Sequence, residues 1–346
     1  MSAQPATFTY DPAHSVQFDV YVPSDLTSSE GEIKSLPLII NWHGGGMVAG
    51  GKKDLFFPQY LVDKFNAKGV IYISANHRLL YPSSTADIIE DVHTLFQYIS
   101  SGSSEFASYL HGIGIRVDTT KIGVSGISGG VYSARAASTL ATVLPRPKVS
   151  LSLYGMAGNF LLDFWVKPND PNDYYKALAL DHDKLEKLVI ENGGAVVSDA
   201  PLKIDMQKRQ ATDEFNRVGF FVDWQHKGIL LDYILNEHGL SSKINQFPLI
   251  ERINHIPENK KHLLLPLDKD TVPTFFIHGT KDLVVPIEES HAAYEELRQL
   301  GVQVGKAWVE GADHGLLDPS KPPNRIQGWE EAVDSGINFV IEQFDI

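Results

Sequence analysis

The chain contains no cysteine. That excludes disulfides, thiolate metal sites, iron–sulfur clusters and a thiol nucleophile. It has no Asn-x-Ser/Thr sequon. No apolar run approaches the roughly 18 residues that a bilayer-spanning helix needs. Residues 1–11 show no basic stretch followed by an apolar one, so no secretory signal is visible and a cytoplasmic location is expected. Basic residues are in deficit, with 30 Lys plus Arg against 43 Asp plus Glu, for a net charge of −13. A chain this acidic, with no Lys/Arg-rich run, is a poor ligand for polyanions. Nucleic acid and a stable membrane anchor are therefore not expected as partners. A small-molecule substrate is, and a homodimer is left open. What the 346 residues do hold is 43% hydrophobic side chains, enough for a full core in one or two domains.

Short β-rich runs alternate with helical stretches. Thr7–Tyr10 and Ser15–Val22 read as an opening hairpin about Asp11-Pro12. Pro37–Trp42, Val70–Ala75, Lys121–Ser125, Val149–Tyr154, Thr274–His278 and Val302–Val309 read as strands, the most apolar of them as buried ones. Thr85–Ser100 has apolar residues at Ile88, Ile89, Val92, Leu95, Phe96 and Ile99, which is helical spacing. Gly130–Leu144, Glu288–Leu300 and Trp329–Phe344 also read as helices. This alternation implies an α/β fold with a mainly parallel sheet flanked by helices. Residues 157–271 break the rhythm and are too long for one loop. They read as an inserted helical lid, with helical segments near Asp183–Glu191 and Ala211–Glu237. The remaining residues, 1–156 and 272–346, read as the core.

Four motifs carry chemistry. Gly126-Ile127-Ser128-Gly129-Gly130 stands between a strand and a helix. A nucleophilic serine on so sharp a turn needs small neighbours and a strained backbone, and the turn lifts its hydroxyl clear of the sheet. Ser125 lacks the closing glycine of that pattern. His43-Gly44-Gly45-Gly46 ends an earlier buried strand, and consecutive glycines there let backbone N–H groups turn toward an oxygen anion. His43 itself reads as a structural holder of that loop. A serine needs a base and an orienting acid. Among 13 histidines, His314 in Ala312-Asp313-His314-Gly315 follows the last strand, with a glycine beside it. Asp282, in His278-Gly279-Thr280-Lys281-Asp282, follows the strand before. The order Ser128, Asp282, His314 belongs to one fold among triad enzymes.

On these residues the sequence resembles the α/β-hydrolase fold, and within it the H-G-G-G esterase/lipase group of hormone-sensitive-lipase-like and carboxylesterase-like serine hydrolases. The matching residues are His43–Gly46, Gly126–Gly130, His278-Gly279-x-x-Asp282-x-x-x-Pro286, His314-Gly315 and, more weakly, His77-Arg78-Leu79. The resemblance implies Ser128 as nucleophile, Asp282 as acid, His314 as base, and the N–H groups of Gly45, Gly46 and Gly129 as the oxyanion hole. It implies neither metal nor organic cofactor. The expected activity is hydrolysis of the carboxylic ester bond of a small to medium, largely apolar substrate through an acyl-enzyme. Lactones, thioesters and aryl formamides pass through similar intermediates and stay open, as does a non-hydrolytic lyase, cyclase or ligand receptor on the same scaffold.

The chain departs from that group at three places. Ile127 and Gly129 stand where the group often has an acidic residue and alanine, Met47 stands in place of an aromatic residue, and the N-terminus reads as β rather than as a helical cap. The roof of the site must then come from 157–271. Its Phe160, Phe164, Trp165, Tyr174, Tyr175, Phe220, Phe221 and Trp224 are expected to put an apolar, partly aromatic wall above Ser128.

Overall fold

The computed structural model describes residues 4–24, 33–169, 183–184, 186–187, 194–205, 210–212 and 216–346. The strands are β1 (Ala6–Asp11), β2 (Val16–Tyr21), β3 (Lys34–Trp42), β4 (Ile71–Ala75), β5 (Ile115–Ile127), β6 (Val149–Leu153), β7 (Ile204–Asp205), β8 (Gln210–Ala211), β9 (Thr274–Gly279) and β10 (Val304–Val309). Eight of them form one sheet in the order β1-β2-β4-β3-β5-β6-β9-β10. The pairs β1/β2 and β2/β4 are antiparallel, and every later pair is parallel. This is the mainly parallel sheet that the alternation of elements implies, in the arrangement that the resemblance to the α/β-hydrolase fold leads one to expect.

The period of two explains how each central strand serves two layers. Leu38 and Ile40 of β3 pack with Ile71 and Ile73 of β4 on one face, against Ile88, Val92, Leu95 and Phe96 of the helix Thr85–Ser100. Ile39 and Tyr72 point the other way, into a cluster with Phe65 of the helix Gln59–Ala67 and with Ile337 and Val340 of the helix Trp329–Phe344. Strands buried on both faces read as continuous apolar runs, as Pro37–Trp42 does. β3 begins earlier than that run, at Lys34, and its pairing with β5 shifts register between Leu36 and Leu38. Pro37 sits at the shift, where its missing N–H costs no ladder bond.

Between β6 and β9 lie the helices Asp163–Val166, Val218–Lys227, Leu230–Leu235 and Leu240–Ile244, and also the antiparallel pair β7/β8. This stretch is thus not wholly helical. Its Trp165, Phe220, Trp224, Leu230 and Ile234 belong to the same buried cluster as β3 and β4. Most of Asp183–Glu191, with Tyr174 and Tyr175, lies outside the described residues.

Because β3, β5, β9 and β10 run parallel, the loops that follow them leave from one edge of the sheet. Those loops carry Gly44–Gly46, Ser128, Asp282 and His314, so topology alone gathers the four motifs.

Candidate active site

Ser128 follows β5 directly and opens a single 3-10 turn, Ser128–Gly130, that runs into the helix Val131–Thr139. Its φ is 53°, in the left-handed region that costs a side-chain-bearing residue free energy. Packing imposes this turn. A Cβ added at Gly126 would lie 2.4 Å from the Gly130 carbonyl oxygen, and one at Gly130 would lie 2.3 Å from that of Trp42. The two outer glycines let the elbow close on itself and on the end of β3.

Ser128 Oγ–H donates to His314 Nε2 at 2.9 Å, and His314 Nδ1–H donates to Asp282 Oδ2 at 2.8 Å. The structure thus brings the three side chains chosen from sequence into one hydrogen-bonded series. Ser125 does not join it: its side chain is fully buried. His43 does not join it either. Its Nδ1 bonds the Gly44 carbonyl at 2.7 Å, its ring stacks on that of His77, and burial pushes it down to about 4, so it stays neutral.

Burial alone would raise the Asp282 pKa. The His314 charge and the hydrogen bonds from both His278 and His314 outweigh it and hold this carboxyl well below the usual range. Backbone donors add to this: Val284 N and Val285 N give to Asp282 Oδ1 at 2.8 and 2.9 Å. For His314 burial acts downward, but the Asp282 carboxylate, with Asp313 behind it, raises the imidazole above its ordinary 6.5.

Three site residues escaped the reading of the sequence. His278 is fully buried and places Nε2 3.2 Å from Asp282 Oδ2. It was visible only as the first letter of its motif. Tyr154, just after β6 with φ 39°, packs its ring edge-on against His314 at 5.1 Å. Asp313 accepts His314 N at 2.8 Å and Leu283 N at 3.1 Å, which ties the His314 loop to the Asp282 loop. Nothing local marked the last two.

Gly44, Gly45 and Gly46 line the same cavity as Ser128. A Cβ added at Gly129 would lie 2.5 Å from Met47 N and 2.9 Å from Gly46 N. Glycine replaces the group's alanine here because the loop after β3 comes this close.

Beside these glycines, Ser128 and His314, the cavity is lined by Phe56, Ile127, Tyr154, Leu202, Ile204, Val218, Phe221, Val222, Val284, Gly315, Leu317, Pro319 and Pro322, with Asp313 and Asp318 as its carboxylates. Among the described residues, no Lys or Arg lines it, and Phe221 is the one aromatic of 157–271 that does. Phe160, Trp165, Phe220 and Trp224 are instead buried in the core. Trp165 Nε1–H donates to Glu289 Oε1 at 2.6 Å, and Trp224 stacks on Tyr233 at 3.6 Å. The expected aromatic wall is therefore mainly aliphatic, since the large rings gain more by filling the space between helices. Among the described residues, no group of three or more His, Asp or Glu is arranged to hold a metal ion, and no helix is long and apolar enough to cross a membrane.

Two family models match the chain: BD-FAE over residues 18–145 and the prolyl oligopeptidase family over 231–329. Among curated proteins, the non-reducing polyketide synthase Preu6 of Preussia isomera is 26% identical over 342 residues, covering 94% of this chain and 14% of that protein. The synthase ausA of Penicillium brasilianum is 27% identical over 346 residues, covering 93% and 13%. The chain thus spans about one-seventh of the length of these relatives. Among solved structures, an alpha/beta hydrolase superfamily protein from Enterococcus faecalis is 16% identical with a TM-score of 0.61, and each chain is covered in full. Thermogutta terrifontis esterase 2 phosphonylated by sarin is also 16% identical, with a TM-score of 0.54 and coverage of 99% and 96%.

Proposed function

We propose that this chain, which has the α/β-hydrolase fold, is an esterase-like serine hydrolase that cleaves carboxylic esters with an apolar acyl or alcohol group. The observation that carries this reading is the series Ser128–His314–Asp282, with bonds of 2.9 and 2.8 Å, opening on a cavity that Gly44, Gly45 and Gly46 also line. In this mechanism His314 Nε2 takes the Ser128 proton as Oγ attacks the ester carbonyl carbon. Asp282 holds the ring in the Nδ1–H tautomer and stabilises its charged form. The N–H groups of Gly45, Gly46 and Gly129 stabilise the oxyanion. The tetrahedral intermediate collapses, His314 returns the proton to the departing alcohol, and an acyl-Ser128 remains. A water that gives its proton to His314 attacks this acyl group and releases the acid with Ser128 restored. Residues 157–271 act as a cap on the core formed by 1–156 and 272–346, and supply Leu202, Ile204, Val218, Phe221 and Val222 to the cavity. Those apolar walls, with acidic rather than basic groups at the rim, favour neutral acyl groups over carboxylate-bearing ones.

The test is a fluorophosphonate probe with a panel of p-nitrophenyl esters, fitting because an esterase of the same fold is phosphonylated by sarin. The reading expects labelling at Ser128 alone, and ester turnover that disappears in Ser128→Ala. Labelling elsewhere, or turnover that survives Ser128→Ala, overturns it. A receptor or lyase on this scaffold would give no turnover of any ester. A thioester reading has one observation in its favour, the match of over nine-tenths of the chain to polyketide synthases. A higher kcat/KM for an N-acetylcysteamine thioester than for the oxygen ester of the same acyl group would select it.

A further inference from the structure

The loop that bears the candidate oxyanion donors contains Gly44, Gly45, Gly46, Gly50 and Gly51. A run this rich in glycine has more backbone freedom than any other, whereas oxyanion donors must be fixed before the charge forms. Something outside the loop has to hold it, and the insert supplies the contacts. Gly50 and Ala200 exchange both backbone hydrogen bonds, at 2.7 and 2.9 Å. Leu202 N donates to Asp54 Oδ1 at 2.9 Å, and Leu79 N donates to the Val197 carbonyl at 2.8 Å. Arg217 then closes the arrangement. Its Nε donates to the Val48 carbonyl at 2.8 Å, and one terminal nitrogen donates to the carbonyls of Leu80 and Tyr81 at 2.9 and 2.5 Å. Leu80 N in turn donates to the Met47 carbonyl at 2.7 Å. One turn along, Phe221 covers Gly46 so closely that a Cβ there would lie 2.5 Å from its ring. Burial lowers the Arg217 guanidinium to about 10, so it remains charged at neutral pH and each of its carbonyl bonds is charge-assisted.

We propose that Arg217 is a positioning residue for the oxyanion loop, and that it and residues 197–202 form a clamp which makes the cavity wall and the oxyanion donors one rigid unit. This rests on the serine-hydrolase reading. The insert then is not a gate. Lifting it would strip Val48, Leu80 and Tyr81 of their donor, break the Gly50–Ala200 pair, and release the glycine loop whose order the reaction needs. Substrate enters past the rim at Asp313, Asp318 and Pro319 while the clamp stays closed.

Two experiments on the full chain test this. The first measures p-nitrophenyl butyrate turnover by Arg217→Met and Arg217→Lys per fluorophosphonate-titrated site, so that misfolded protein does not count. The expected kcat in Arg217→Met is lower by about 30-fold or more, from imperfect aim of oxyanion donors, with KM within about threefold. Arg217→Lys recovers part of the loss. An unchanged kcat per titrated site in Arg217→Met, with only thermal stability reduced, overturns the proposal. The second uses the absence of cysteine. A Cβ added at Gly51 would lie 3.0 Å from Asp199 Cγ, so Gly51→Cys with Asp199→Cys gives a pair able to bridge loop and insert. Oxidised and reduced forms are expected to turn over the ester equally, because the clamp does not open. Activity that falls on oxidation and returns with dithiothreitol makes the insert a gate and overturns it. If the unaltered chain turns over no ester or thioester, it is the hydrolase reading that fails, and this is seen before either variant is made.

Discussion

His278 Nε2 approaches Asp282 Oδ2 to 3.2 Å, on the same oxygen that accepts the Nδ1–H of His314. Nε2 also faces the Val285 carbonyl at 3.0 Å, so both its neighbours are acceptors and it carries the proton. Ser290 Oγ–H then donates to Nδ1 at 2.7 Å. With Val284 N and Val285 N, His278 and His314 give the buried carboxylate four donors. Replacing His278 by Leu is expected to cost about 1–3 kcal/mol in urea unfolding, because Asp282 and the Ser290 hydroxyl lose a partner with no water to replace it. Stability unchanged within error would contradict this account.

The acid limb of the kcat/KM profile is expected above pH 6.5. His314 must be unprotonated to take the serine proton, and the Asp282 carboxylate raises its affinity for that proton, so activity is lost as pH falls through a midpoint higher than that of a free imidazole. Asp282→Asn removes the cause and is expected to move the residual limb down. Asp282 also links to stability, and in the same direction with pH. Its carboxyl is depressed below 3.8, so its contribution is present above that value and lost as pH falls further. Denaturant midpoints at several pH values check both parts.

On the proposed mechanism, Ser128→Ala and His314→Ala are each expected to lose about 10³-fold or more in kcat, since a nucleophile and its base act as a unit. Ser128→Gly should be as inactive, yet more stable than Ser128→Ala by about 1 kcal/mol, because glycine relieves the φ of 53°. Equal unfolding midpoints for the two variants would show that the elbow stores no strain.

Gly129→Ala is expected to abolish turnover, although alanine is common at this position in the group the sequence resembles. The added methyl would meet Met47 N and Gly46 N and push the oxyanion loop away. A crystal structure of the variant, or a kcat near that of the unaltered chain, decides the matter.

Phe221→Ala should shift preference toward longer acyl chains, since its ring lines the cavity. Trp165→Ala and Trp224→Ala should instead destabilise by about 3–5 kcal/mol with little change in chain-length preference, because both rings are fully buried in the core. A p-nitrophenyl ester series from C2 to C16, run beside thermal melts, separates the two behaviours.

Much of this was readable in one dimension. Ser128, Asp282 and His314 each sit in a motif flanked by glycine, in an order that one fold uses, after strands whose apolar runs mark them as buried. Parallel strands deliver the loops after them to one edge, so order and strand assignment together predict that these residues meet. The short helices Gln59–Ala67 and Glu105–Gly112 were not assigned, being too brief to show a clear period. The length of β5 was underestimated because Ile115–Thr120 mixes polar residues into the strand.

The sequence by itself determined the fold class, the hydroxyl that sits on the elbow, and the histidine and aspartate able to serve it, because these depend on local turn chemistry and chain order. Only the tertiary structure decided which ring faces the cavity and which side chains contact the glycine loop after β3. Phe220, Phe221 and Trp224 lie on one helix, and nothing in their spacing says that Phe221 meets the cavity while the others fill the core. Arg217 reaches carbonyls at 48, 80 and 81 because three distant stretches of chain pass one another there. Backbone carbonyls are present at every residue, so a sequence carries no mark of which ones a side chain will find.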